Sequence, residues 1–75
     1  MENRVNAGYE IVEAVCVGNN EEIVLGKMET RFGMQYVTWF CMDKHNYCYG
    51  HYTDDYNKAK IDLHERVLRE LRMNN

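Results

Sequence analysis

Between residues 41 and 51 the chain sets two cysteines and two histidines in the pattern Cys41-x3-His45-x2-Cys48-x2-His51. These are the side-chain types that zinc takes as ligands, in sites where donors converge tetrahedrally at about 2.0–2.3 Å. In an extended strand, however, residues three apart point to opposite faces. Cys48 and His51 then diverge, and His45 falls in a polar turn. The set reads as thiols acting as small hydrophobes beside a surface histidine, with no metal and no cofactor. If Cys41 and Cys48 sit opposite each other on paired strands, oxidation can join them across the sheet.

Nucleophilic catalysis would draw Cys16 or Cys48 together with His51 or His64. Such a pair needs hydrogen-bond reach, an oriented base and an oxyanion site, and nothing in the spacing supplies them. Tyr49 and His51 share one strand face, which is the nearest approach to an acid–base pair. No catalytic residue is assigned, and the chain is read as non-enzymatic.

The element that must position these groups is the stretch Tyr36–Tyr52, YVTWFCMDKHNYCYGHY. Two aromatic and β-branched runs flank the polar turn Asp43-Lys44-His45-Asn46, the pattern of a β-hairpin. With Asp43 and Asn46 closing the turn, Cys41 faces Cys48, Trp39 faces Gly50 and Val37 faces Tyr52. Trp39 then lies over the bare backbone of Gly50. One face carries Val37, Trp39, Cys41, Cys48 and Tyr52. The other carries Tyr36, Thr38, Phe40, Met42, Tyr47, Tyr49 and His51.

Upstream, Met1–Ala7 is polar and is expected to be disordered. Tyr9–Val17 is rich in β-branched residues, and Tyr9, Ile11, Val15 and Val17 share one parity, as in a strand. Gly18-Asn19-Asn20-Glu21 is a turn, and Glu22–Leu25 a short second strand ended by Gly26. Lys27–Gln35 is the least regular segment, expected to be a loop that covers the sheet or serves function. From Thr53 the pattern turns helical, with Thr53 or Asp54 as N-cap. Tyr56, Ala59, Leu63, Val67 and Leu71 form its apolar stripe. Ile61 and Leu68 stand to one side of the stripe, and Arg66, Arg69 and Arg72 are placed on the solvent side.

The expected fold is α+β: a four-stranded antiparallel meander with one C-terminal helix on one face, ββββα. Residues 1–75 form a single domain, with 8–53 as sheet and 54–73 as helix. The expected core is Ile11, Val15, Val24, Val37, Trp39, Tyr52, Ala59, Leu63, Val67 and Leu71. One helix covers one face, taken to be that of Trp39. The face of Tyr36 and Phe40 is then an exposed apolar patch of the kind that marks an interaction surface. The candidate surface is Tyr36, Phe40, Met42, Tyr47, Tyr49 and His51, together with Ile61 and Leu68 on the helix edge.

Composition agrees with a binding role. Six tyrosines among 75 residues suit the border between core and interface, because each couples a large ring to a polar tip. A chain this short buries only about 60% of its unfolded surface, which favours a second copy of the chain as a staple, and so a homodimer. The net charge of −3 argues against a dedicated nucleic-acid binder. Single-stranded nucleic acid stacking on the aromatic face is the alternative reading. With Met1–Ala7 polar, no signal peptide is expected, and no apolar run approaches membrane-spanning length. An odd count of three cysteines rules out a complete internal disulfide framework, so a cytoplasmic chain is expected.

The segments Gly8–Val17, Glu22–Gly26, YVTW (Tyr36–Trp39) and YGHY (Tyr49–Tyr52) resemble small proteins of unknown function from bacterial genomes, phages and mobile elements. The resemblance implies a stand-alone accessory protein and transfers no activity or site residue.

Overall fold

A computed structural model describes residues 4–73. Five antiparallel strands run in chain order across one sheet: β1 (Val5–Asn6), β2 (Tyr9–Gly18), β3 (Glu21–Thr30), β4 (Gly33–Met42) and β5 (Asn46–Thr53), followed by helix α1 (Tyr56–Met73). The α+β meander and its C-terminal helix are as expected, but the sheet has five strands rather than four. The extra strand comes from the segment expected to be disordered. Ala7 and Gly8, at φ 52° and 85°, turn Val5 and Asn6 back onto Glu10 and Tyr9. Residues 1–3 lie outside the described residues.

Lys27–Gln35 is not a loop. Lys27, Met28 and Glu29 pair with Tyr36, Gln35 and Met34, and Thr30↔Gly33 closes the hairpin. Arg31 and Phe32 make a two-residue tip. The Thr30 hydroxyl donates to the Gly33 carbonyl at 2.7 Å and accepts from the Phe32 amide at 3.1 Å. Gly33 takes φ 116°, a conformation that suits glycine. The polar and charged residues that made this segment look irregular lie outside the densest packing.

Helix α1 covers the face opposite to the one expected. Val17, Ile23, Leu25, Ala59 and Leu63 form the core beneath it, with Tyr36, Phe40 and Val67 packed alongside. Tyr9, Val24, Val37, Trp39 and Cys41 form a second core on the other face, flanked by Ile11, Met28 and Tyr47. That face closes without a helix, because the sheet curls. Tyr9 on β2 meets Tyr52 on β5 at 6.0 Å between ring centroids, whereas strands three places apart in a flat sheet are about 14 Å apart. Tyr9 also packs edge-on to Trp39 at 5.6 Å. Arg4 spans the same concavity, its Nη2 bonding Glu22 and the Tyr47 hydroxyl at 3.1 Å each.

Two bulges let single strands serve both cores. In β2 the register shifts at Val12, so that Ile11↔Gly26 is followed by Glu13↔Leu25. Tyr9 and Ile11 therefore join the Trp39 core, while Val15 and Val17 turn toward α1. An inserted residue reverses side-chain parity beyond it, which breaks the expected single face for Tyr9, Ile11, Val15 and Val17. In the β4–β5 pair, the irregularity falls between Thr38 and Phe40.

The β4–β5 turn is a three-residue loop closed by Met42↔Asn46, with Asp43 and Lys44 both left-handed at φ 55° and 62°. Near the turn Cys41 therefore pairs with Tyr47, and Phe40 with Cys48. Cys41 and Cys48 point to opposite faces and cannot bridge. Beyond the bulge the expected register returns, with Val37↔Tyr52. Trp39 does lie against Gly50, where a Cβ would stand 2.8 Å from the indole nitrogen.

Of the expected core, Tyr52 and Leu71 are exposed, at 60% and 42%. The helix cap is Asp55 rather than Thr53 or Asp54. Its carboxylate accepts from the Lys58 amide at 3.1 Å, and its own amide donates to the Thr53 hydroxyl at 3.1 Å.

Candidate functional site

Where the β5 bulge meets the second half of α1, the two elements leave a cleft of about 360 Å³. Its floor is Ile23 and Phe40, from the α1-side core. Tyr49 and His51 line it from β5, and Arg66, Arg69 and Glu70 from the helix.

Tyr49 sits in the bulge with φ 56°, a backbone conformation uncommon for a bulky side chain. Its ring is 77% exposed. The conformation is held from below by Arg66, whose Nη1 donates to the Tyr49 carbonyl at 2.8 Å, and to the Thr38 carbonyl and hydroxyl at 3.1 Å each. One guanidinium nitrogen therefore grips both strands across the irregularity, satisfying carbonyls that the disrupted ladder leaves over. Arg66 was placed on the solvent side from its spacing with Arg69 and Arg72. It is instead only 7% exposed, and burial pushes its pKa below the ordinary arginine value.

The network continues outward. The fully buried Thr38 hydroxyl donates to Asp62, whose carboxylate also meets His51 Nδ1 at 3.0 and 3.2 Å. A carboxylate only accepts, so Nδ1 is the donor in this contact. His51 and Asp62 have the arrangement of a base and its orienting group. The Thr38 hydroxyl bonds Asp62 rather than His51, however, and is sealed from any substrate.

The candidate surface residues divide. Tyr36 and Phe40 are half-buried beneath α1, and Tyr36 packs on Tyr56 at 5.4 Å. They form no open platform. Tyr47 lies on the other face, packed on Trp39 at 5.5 Å and held by Arg4. Met42 stands at the strand end, 39% exposed. Tyr49 and His51 come together at the cleft. Ile61 and Leu68 are exposed on the outer side of α1, at 59% and 54%, and belong to a separate surface.

The cysteine–histidine set does not converge, though not for the reason parity gave. The bulge restores Cys48 and His51 to one face, since their partners Phe40 and Thr38 both face α1. Cys41 is buried in the opposite core and His45 sits in the turn. Among the described residues, no three His, Cys, Asp or Glu side chains gather as a metal site. Sequence reasoning missed Arg66, although a signal was present: Ala59, Leu63 and Arg66 recur at helical spacing along the buried stripe.

No family model matches the chain, and comparisons with curated proteins and with solved structures return no match.

Proposed function

We propose that this chain is a small, non-enzymatic interaction module that binds a protein partner at the cleft between the β5 bulge and α1. The observation that carries this reading is Tyr49, an exposed ring on a left-handed backbone whose carbonyl is anchored by a buried arginine. Unfavourable backbone geometry persists where surrounding structure enforces it, and such positions cluster at functional sites. Exposed Tyr and Arg beside an apolar floor are also the residue types that dominate binding energy at interfaces. Three free thiols suit a reducing compartment, in keeping with a cytoplasmic accessory protein. Among the described residues no helix is long and apolar enough to cross a membrane.

Stacking of single-stranded nucleic acid loses its main support, because the Tyr36–Phe40 platform it required lies under the helix. Self-association moves to the outer side of α1, where Ile61 and Leu68 are exposed one heptad apart.

The test is comparative capture from cells by the intact chain and by Tyr49→Ala, each first shown by circular dichroism to be folded. The reading expects partners bound by the intact chain and lost from Tyr49→Ala. Identical partner sets for both proteins would remove the cleft as the binding surface.

A further inference from the structure

We infer that the cleft binds the C-terminal carboxylate of a partner polypeptide whose last side chain is apolar. This inference rests on the cleft being the partner-binding surface and names the chemistry it recognises.

Arg66 leaves part of its hydrogen-bonding capacity unused. A guanidinium carries five N–H donors, two of them on Nη1. Nη1 makes all three of the bonds to Thr38 and Tyr49, and among the described residues no protein acceptor takes Nε or Nη2. Nor are those two nitrogens sealed, because the only buried polar side-chain atom without a partner among the described residues is Nε of Arg4. Arg66 itself lines the cleft. Arg69 lines it too, and makes no ion pair among the described residues. Two guanidiniums thus have donors to spare, one of them fixed by its own burial. Arginine recognises a carboxylate through this paired donor geometry.

The charge count selects the anion. Arg66 and Arg69 set two guanidiniums against Glu70 on the rim and Asp62 beneath, so the site carries little net positive charge. A single carboxylate adds one negative charge and needs only the paired donors of one guanidinium. A phosphate dianion, or a run of phosphates, would face Glu70 with too little positive charge. The remaining groups match the rest of a chain terminus: Glu70 offers an acceptor for a peptide N–H group, and Ile23 and Phe40 offer an apolar floor beside the Tyr49 ring. A cleft of about 360 Å³ is at the small end of the range for ligand sites and suits one or two residues. Capture of a terminal carboxylate is an established mode of peptide recognition.

The experiment titrates the isotope-labelled full chain, followed by amide NMR shifts, with acetyl-Ala-Ala-Phe as the free acid, with the same peptide as its amide, and with adenosine monophosphate. The acid should shift Tyr49, His51 and Arg69 resonances and bind at least about tenfold more tightly than the amide, the loss expected for one charge-assisted bond. Arg69→Gln should weaken the acid by a similar factor and leave the amide unchanged. Equal binding of acid and amide, preference for the nucleotide, or no response at the cleft to any probe would overturn the inference. If Tyr49→Ala still abolishes partner capture while the acid fails to bind, the carboxylate assignment falls and the binding surface stands. If capture is independent of Tyr49, the surface itself falls.

Discussion

Arg66 holds two strands through a single nitrogen. Replacing it with methionine keeps the aliphatic packing and leaves the Thr38 and Tyr49 carbonyls without their donor. Loss of a buried charged donor predicts destabilisation of about 2–3 kcal/mol, measured by chemical denaturation. Arg66→Lys should recover only part of this, since an ammonium cannot reproduce the planar fork. The cysteines give a second prediction at this scale. Cys41 is fully buried and its thiol pKa is raised, chiefly by burial, whereas Cys16 is exposed. Pulsed alkylation followed by mass spectrometry should label Cys16 first and Cys41 last, with Cys41 reacting only as the protein unfolds. Residue types alone suggested that Cys41 and Cys48 act as buried small hydrophobes, and only Cys41 is buried. They did not tell that Arg66 belongs to the core, because its neighbours in the basic series, Arg69 and Arg72, are exposed.

At the scale of elements, the hairpin, the helix and the closeness of Trp39 to Gly50 were legible from alternation, helical spacing and a missing side chain. The face that the helix covers was not. Both faces of β4 are apolar, so composition could not choose between them, and the curl that closes the Trp39 face depends on bulges that no residue pattern announces. One residue of register near the turn separated Cys41 from Cys48, and the bulge then placed Tyr49 where it projects. The corrected face assignment decides what Phe40→Asp should do. With Phe40 open to solvent, that change would have altered assembly and spared the fold. Packed beneath α1, it should instead destabilise the monomer by about 2–4 kcal/mol, seen as a lowered denaturation midpoint. A fold unaffected by Phe40→Asp would contradict the helix placement. The same helix is strapped to β2 by Lys60 Nζ, which meets both Glu13 carboxylate oxygens at 2.6 and 2.7 Å. The hydrogen bond to Glu13 raises the Lys60 pKa above its ordinary 10.5. A raised folded-state pKa adds stability that is fully present below the unfolded value and lost as pH rises through the folded one. The stability difference between the intact chain and Lys60→Met should therefore be constant near neutrality and shrink at strongly alkaline pH.

For the molecule as a whole, one sheet separates two thin cores. Only the core around Leu25 and Leu63 has a second layer over it, while the Tyr9–Trp39 core relies on curvature and on Arg4. No cross-strand disulfide is available between Cys41 and Cys48, so a second copy of the chain is the staple left to propose for a chain this short. The outer side of α1 is the natural place, since Ile61 and Leu68 are more than half exposed and Leu71 flanks them at 42%. Helices from two copies packed along this stripe would bury it, and their dissociation would then be coupled to unfolding. Mass action makes the consequence measurable: the thermal midpoint of a stabilising dimer rises with protein concentration, while that of a monomer does not. Scans over a hundredfold range of concentration should show a rising midpoint for the intact chain. For Ile61→Lys combined with Leu68→Lys the midpoint should be lower and independent of concentration, with the mass from light scattering falling to that of one chain. A concentration-independent midpoint in the intact chain would remove the α1 stripe as a dimer seam and leave the two cores to hold the fold on their own.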